Sequence, residues 1–138
     1  MVAPLSSARD AACVALLATL LLVACTRTVE LVDLHNGSVL TGTHSLWHHS
    51  VSVSLPTGET AAGPYTKLTA ADIGADSLFF GANIGELLGR HTAAQVSGYA
   101  RLIGERETVV EIIFTSDWLG HGYGVARTSL KGEYRVTF

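Results

Sequence analysis

The densest group of chemistry-bearing side chains is a histidine cluster formed by His44, His48 and His49, with Trp47 inside it. Neutral imidazole is a common ligand for zinc and copper. On an extended chain, His44 and His48 lie on one face and His49 on the other. Two ligands on one face are not yet a metal site, which needs a third and often a carboxylate. The chain offers three further candidates: Asp33, His35 and His121.

Three interpretations of this histidine cluster stay open. One is a metal-binding protein or metallohydrolase that uses His44, His48 and His49. Another is a histidine segment that senses acidic pH, because imidazole titrates near neutrality. The third is a polar loop or strand end whose imidazoles are exposed to water.

Aromatic side chains form the second group that can support recognition. Trp118 lies in a predicted loop beside a glycine run, and Tyr123 follows shortly after. Binding residues often collect on loops, and aromatic anchors are common at interfaces. The sequence therefore predicts partner binding at Trp118 and Tyr123, with Trp47 and Tyr65 as further members of the patch. Alternatively, the two tryptophans plug the ends of a small barrel.

No motif of an established catalytic type is present. The glycine run 120–124 lacks both the dinucleotide and the phosphate-loop patterns, and close approach of two strands explains it. No serine sits in a nucleophile elbow. Glu105 and Glu107 are predicted to be turn charges, and Glu111 an outward strand residue that keeps the sheet soluble. The formal net charge of −3 excludes the basic footprint of a nucleic-acid-binding protein. We expect no enzyme activity and no cofactor.

The stretch from Ala11 to Ala24 contains fourteen residues without a charge. It is shorter than the roughly 20 residues that cross a bilayer, and it has the layout of a secretory signal peptide. The LVAC tetrad that ends at Cys25 resembles the lipobox of bacterial lipoproteins. That resemblance implies removal of residues 1–24 and a membrane anchor through lipid on Cys25. Thr26 in place of aspartate implies the periplasmic face of the outer membrane.

After the lipidated cysteine, residues 25–28 are predicted to be a short tether and residues 29–138 a single β-rich domain. Asn36-Gly37 predicts a hairpin with a type I′ turn. Val51, Val53 and Leu55 alternate with serines, as in a strand with one buried face. A glycine-rich irregular connection is expected at about 66–97, with one short strand near 78–80.

The C-terminal third returns to strand patterns. The segment TVVEIIFT at 108–115 places Val110, Ile112 and Phe114 on one face, and the last residues alternate in the same way. Turn signals recur every 8 to 12 residues or so, which is typical of all-β folds. The sequence predicts a small antiparallel sandwich or barrel of about six to eight short strands, preceded by a signal-peptide helix.

The chain as a whole resembles small β-rich bacterial lipoproteins of uncharacterised function. The resemblance rests on the lipobox, the SVSLPTGETAAGPY segment and the closing GYGVARTSLKGEYRVTF hairpin. It implies a cysteine pair in the closing region, where this chain has Ile112 or Ile113 and Ala126, so packing must replace a disulfide. With no recognisable active site, the expectation is a non-enzymatic module of the cell envelope that binds another envelope component, a protein rather than a small ligand.

Overall fold

The computed structural model describes residues 26–67, 77–80, 96–116 and 121–138. These residues form eight β-strands and no helix. In chain order the strands are β1 (Thr26–Asp33), β2 (Val39–Ser45), β3 (Ser50–Ser54), β4 (Thr60–Lys67), β5 (Val96–Gly104), β6 (Val109–Ser116), β7 (Gly122–Thr128) and β8 (Glu133–Thr137). The predicted signal-peptide helix and Cys25 lie outside the described residues.

Each strand pairs antiparallel with the next one in the chain, and β8 pairs with β1. The all-β prediction is confirmed, and of its two architectures the molecule adopts the closed barrel. The joint between the first and last strands places Leu31 opposite Val136 and Glu30 opposite Thr137. Because every strand has two neighbours, the described sheet has no unpaired edge.

The barrel interior is filled by every second residue of each strand. On β3, Val51 and Val53 are buried, whereas the serines between and beside them are more exposed, as the alternation predicts. Burying one aliphatic side chain of this size contributes about 1.5–3 kcal/mol. The interior cluster consists of Val29, Leu31, Leu40, Val51, Val53, Leu55, Ala61, Ala100, Leu102, Val110, Ile112, Phe114, Ala126, Tyr134 and Val136.

Packing occupies the place where the family resemblance implied a cysteine pair. Ile112 lies opposite Ala126 in the β6–β7 register. Both side chains are fully buried in the interior cluster. A large and a small apolar residue therefore fill this cross-strand position without a covalent link.

Three hairpins share one turn geometry, which depends on a residue with positive φ. In the β3–β4 turn, the Gly58 N–H donates to the Leu55 carbonyl at 3.0 Å, and Gly58 has a φ of 81°. The equivalent positions in the β5–β6 and β7–β8 turns hold Glu107 (φ 61°) and Lys131 (φ 65°). Each turn leads into a bulge that matches the twist of the strands.

The first hairpin has a longer turn than predicted. Asn36-Gly37 lies in a five-residue loop, Leu34 to Ser38, in which Gly37 alone has a positive φ. The Asp33 carboxylate causes this, because it accepts the Asn36 N–H at 3.1 Å and a second N–H one residue earlier. The hairpin is confirmed, but its type I′ turn is wrong.

The boundaries of other predicted segments shift as well. The sequence predicts a tether at residues 25–28, but residues 26–28 belong to β1, with Thr26 opposite Ser45. Strand β4 extends to Lys67, and strand β5 begins at Val96. Both ends of the connection predicted at about 66–97 therefore belong to strands. Residues 78 and 79 form a bend, and no strand is present at 78–80.

The glycines near position 122 act as the sequence predicts. A Cβ on Gly124 would lie 2.1 Å from the Ile113 carbonyl oxygen, and a Cβ on Gly122 would lie equally close to the Thr115 carbonyl oxygen. Only glycine therefore lets β7 approach β6 this closely.

Candidate functional site

The barrel has two ends of different character. At one, which we call the entry end, β1 begins at Thr26, β2 and β3 are joined by the turn 46–49, and β8 ends beside Phe138. At the other, the opposite end, lie the turns of the β1–β2, β3–β4, β5–β6 and β7–β8 hairpins. The antiparallel meander therefore brings the histidine cluster and Tyr123 to one end of the molecule.

His44 points into the barrel at the entry end. It follows Leu40 and Gly42 on the inward face of β2 and is only 2% exposed. Among the described residues, neither of its ring nitrogens has a hydrogen-bond partner. Alternation along β2 is the signal that would have predicted this inward position from the sequence.

Three aromatic rings surround the His44 imidazole. Their centroids lie 4.9 Å away for Tyr65, 5.1 Å for Phe138 and 6.3 Å for Phe114. The Phe114 ring fits because Gly98 opposite it has no side chain, where a Cβ would come within 2.4 Å of the ring. These rings, rather than Trp47, fill the entry end of the barrel.

The electrostatic surroundings of His44 favour its neutral form. Burial lowers the pKa of His44 first, and the nearby positive charge of Arg27 and the His49 imidazole lower it further. Arg27 lies directly opposite His44 in the β1–β2 register. A neutral imidazole in an apolar setting can accept a proton or a metal, but each costs desolvation energy.

The chain is not extended through the rest of the cluster. Residues 46–49 form a turn, in which His49 has a φ of 47° and its carbonyl accepts the Tyr65 N–H at 2.8 Å. The His48 N–H donates to the Ser45 hydroxyl, and the side chains of His48 and His49 are exposed. The prediction that His44 and His48 share one strand face is therefore wrong, because β2 ends at Ser45.

Within the described part of the chain, no group of three His, Cys, Asp or Glu residues is arranged to hold a metal ion. His44 and His49 contact the same Tyr65 ring, but from the interior and from the rim of the barrel. Metal binding by His44, His48 and His49 stays a prediction, and these residues would need a ligand from elsewhere to complete a site.

Of the predicted partner-binding residues, Tyr123 is described and Trp118 lies outside the described residues. Tyr123 points outwards from β7, opposite Thr115 and Thr137, and is 39% exposed. Trp47 is 78% exposed in the 46–49 turn. Trp47 therefore does not plug the barrel, contrary to one of the two interpretations of the tryptophans.

Glu111 has a role that the sequence did not indicate. It points outwards from β6 as predicted, yet it is fully buried, because residues 77–80 cover it. Its carboxylate accepts the Ser77 hydroxyl at 2.7 Å and the Tyr99 hydroxyl at 2.6 Å. It also accepts two backbone N–H groups of the covering segment and pairs with Arg101 at 3.2 Å. The predicted role of Glu111 as a solubilising surface charge is wrong.

We call Glu111 and the segment Ser77–Phe80 the outer clamp. Burial by itself raises the pKa of Glu111, but the hydrogen bonds to its carboxylate outweigh that effect and lower it. Arg127 closes the clamp from β7, since its guanidinium donates to the Phe79 carbonyl at 2.9 Å and lies 5.1 Å from the Phe80 ring centre. Donors from the chain itself occupy both Glu111 oxygens, so this carboxylate holds the fold together.

The opposite end of the barrel has a cleft of about 430 Å³ between three of its turns. Its lining includes the half-buried Asp33, the buried Leu55 and Tyr134, and the exposed Leu130 and Lys131. Several large apolar side chains at this end are more than half exposed, namely Leu34, Val39, Ile103 and Leu130. Such a concentration of exposed apolar groups is typical of a contact surface.

A second buried carboxylate, Glu59, fixes two of the turns at this opposite end. Its oxygens accept the Thr108 hydroxyl at 2.5 Å and the Arg106 N–H at 2.8 Å, which joins the β3–β4 turn to the β5–β6 turn. These hydrogen bonds, led by the one from Thr108, lower the pKa of Glu59. The opposite end is therefore a preorganised surface.

Comparisons of the chain with protein-family models, with curated proteins and with solved structures found no match. Among the described residues there is also no helix with the length and apolar character needed to cross a membrane.

Proposed function

We propose that this protein is a lipid-anchored binding module of a bacterial cell envelope, held to the membrane through Cys25 and without catalytic activity. The observation that supports this most directly is the LVAC motif that ends at Cys25, after a charge-free stretch with the layout of a signal peptide. Cleavage before Cys25 would leave all eight described strands, from Thr26 onwards, in the mature protein.

The proposed partner is an envelope protein, and the opposite end of the barrel is the surface best suited to it. That end carries the exposed Leu34 and, in the lining of the cleft, the exposed Leu130, and Glu59 holds two of its turns in place. A preorganised surface with apolar anchors binds without a large ordering cost. Tyr123, which points outwards at the entry end, is the alternative contact that the sequence predicts.

The anchor is tested with Cys25→Ala in the full chain. We expect an unprocessed or soluble product, whereas the parent chain carries lipid on its new amino terminus, as measured by mass spectrometry and membrane fractionation. A processed, membrane-bound Cys25→Ala protein would rule out the anchor.

The partner surface is tested by affinity capture from detergent-solubilised envelope with the full, tagged chain. We expect a stoichiometric protein to be lost with a Leu34→Ser/Leu130→Ser double variant and retained with Tyr123→Ala and Trp118→Ala. Loss with the latter two variants alone would move the contact to the surface that the sequence predicts. If neither the parent chain nor any of the variants captures a stoichiometric protein, the binding-module proposal fails.

A further inference from the structure

The entry end of the barrel combines three features that point to one type of surface. The chain enters there at Thr26, which is joined to Cys25 by a peptide bond, so their Cα atoms are about 3.8 Å apart. Thr26 lies opposite Ser45, and Trp47 follows two residues later in the adjoining turn. The proposed lipid and the exposed Trp47 are therefore neighbours on the same end.

Trp47 has the chemistry of a residue at a membrane–water interface. Its side chain is 78% exposed. Indole has a large apolar surface and one polar N–H, and it concentrates at the level of lipid headgroups. An exposed tryptophan beside an acyl chain therefore gains contact area when the end meets the bilayer.

The distribution of charge agrees with this orientation. The described entry end carries Arg27 and Lys67. Exposed imidazoles at the same end belong to His48, His49 and His121. In residues 26–67, 77–80, 96–116 and 121–138, the side-chain carboxylates lie near the middle of strands or at the opposite end, at Glu30, Asp33, Glu59, Glu105, Glu107, Glu111 and Glu133. A lysine or arginine near an anionic bilayer contributes about 1 kcal/mol to binding.

We infer that the entry end of the barrel is a membrane-docking surface, in which Trp47 inserts into the headgroup layer of the bilayer that holds the lipid on Cys25. This inference rests on the proposed lipid anchor. It orients the barrel, because the opposite end with its cleft then faces away from the membrane. The docked surface is small, and the covalent lipid supplies the affinity while Trp47 and the basic side chains set the orientation.

The test uses the full, lipidated chain in vesicles of phosphatidylethanolamine and phosphatidylglycerol with brominated acyl chains. The chain contains two tryptophans, so Trp118→Phe leaves Trp47 as the only one. We expect its fluorescence to shift to shorter wavelength and to be quenched by the bromine atoms. The matched control carries Trp47→Phe, Trp118→Phe and Leu130→Trp, which places a single tryptophan at the opposite end, roughly 20 Å away along the barrel axis.

Quenching of Trp47 without quenching in the Leu130→Trp control would support the docking surface. If the lipidated protein floats with the vesicles but Trp47 is unquenched, or both tryptophans are quenched equally, the docking surface is disproved and the lipid anchor stands. If mass spectrometry finds no lipid on Cys25 and the protein does not float, both the anchor and the docking surface are disproved.

Discussion

At the scale of single residues, the buried ionisable side chains of Glu111 and His44 have contrasting polar surroundings. A charge or polar group removed from water must find partners or become neutral. Glu111 finds partners, because the outer clamp supplies hydrogen bonds to both of its oxygens. His44 does not, since both of its nitrogens lie among aromatic rings without a hydrogen-bond partner in the described part of the chain. The first residue should therefore stabilise the fold and the second should weaken it.

Replacing His44 by leucine should raise the free energy of unfolding by about 1 kcal/mol at pH 7.5, because an unpartnered polar ring is exchanged for an apolar side chain of similar size. The pKa of His44 lies below its ordinary value in the folded state. The unfolded chain therefore binds a proton more readily, and stability falls as pH drops below about 6.5.

In the His44→Leu variant, the part of this loss of stability that protonation of His44 causes should be absent. Urea unfolding at pH 7.5 and 5.5 measures both effects. The matched control is His48→Leu, whose side chain is exposed and should change little. A His44→Leu protein that is less stable than the parent chain would show that the imidazole has a partner in solution.

Replacing Glu111 by glutamine should lower the free energy of unfolding by about 3 kcal/mol, because it removes a buried charge from a hydrogen-bonded network and leaves donors without an acceptor. Its pKa is lowered in the folded state. The stability it contributes is therefore complete above the ordinary glutamate pKa and is lost as pH falls through the lowered value.

Denaturant unfolding between pH 7 and pH 3 measures this contribution. Glu105→Gln, on an exposed turn, is the control and should change stability little. Equal stabilities of the two variants would mean that the outer clamp does not hold residues 77–80 in solution.

At the scale of elements, the turns contain strain that glycine would relieve. Glu107 and Lys131 occupy the positive-φ position that Gly58 occupies in the equivalent turn. That conformation costs an L-residue with a side chain roughly 1–2 kcal/mol. Glycine avoids this cost, but its larger backbone entropy in the unfolded chain offsets part of the gain in stability. Glu107→Gly and Lys131→Gly should each raise the free energy of unfolding by about 0.5–1 kcal/mol.

Thermal unfolding of both glycine variants checks this, with Glu105→Gly as the control. Glu105 lies in the same turn without a positive φ, so glycine there should lower stability. If Glu107→Gly behaves like Glu105→Gly, the turn adopts another conformation in solution.

The elements also show how far the sequence predicts this fold. Alternation identifies β3 and β6 well, because one face of each strand fills the barrel interior. The same alternation along β2, from Leu40 to Gly42 and then to His44, predicts that His44 points into the barrel. It fails at Glu111, because the outer face of β6 is covered by residues more than thirty positions earlier in the chain. It also misses the length of the first turn, which the Asp33 carboxylate sets.

At the scale of the whole molecule, the joint between β1 and β8 closes the barrel. Leu31 and Val136 lie opposite each other there, and both are fully buried. Leu31→Ala should cost about 2–5 kcal/mol, and Val136→Ala somewhat less. Because the two residues face each other across this joint, the double variant should lose less stability than the sum of the losses in the two single variants.

A double-mutant cycle by urea unfolding measures this coupling. The control pairs Leu31→Ala with Ile113→Ala, since Ile113 belongs to the cluster on the outer face of the barrel. That pair should be additive. Additivity of Leu31→Ala with Val136→Ala as well would show that the joint is open in solution.

The β1–β8 joint also has a consequence for the timing of folding. Among the described strands, β1 comes first in the chain, yet one of its two neighbours is β8, which comes last. β1 therefore keeps one row of backbone groups unpaired until residues 133–137 are in place. An incomplete sheet of this kind is prone to pair with other chains. The pairing of β8 thus ends the interval in which the folding chain is exposed to aggregation.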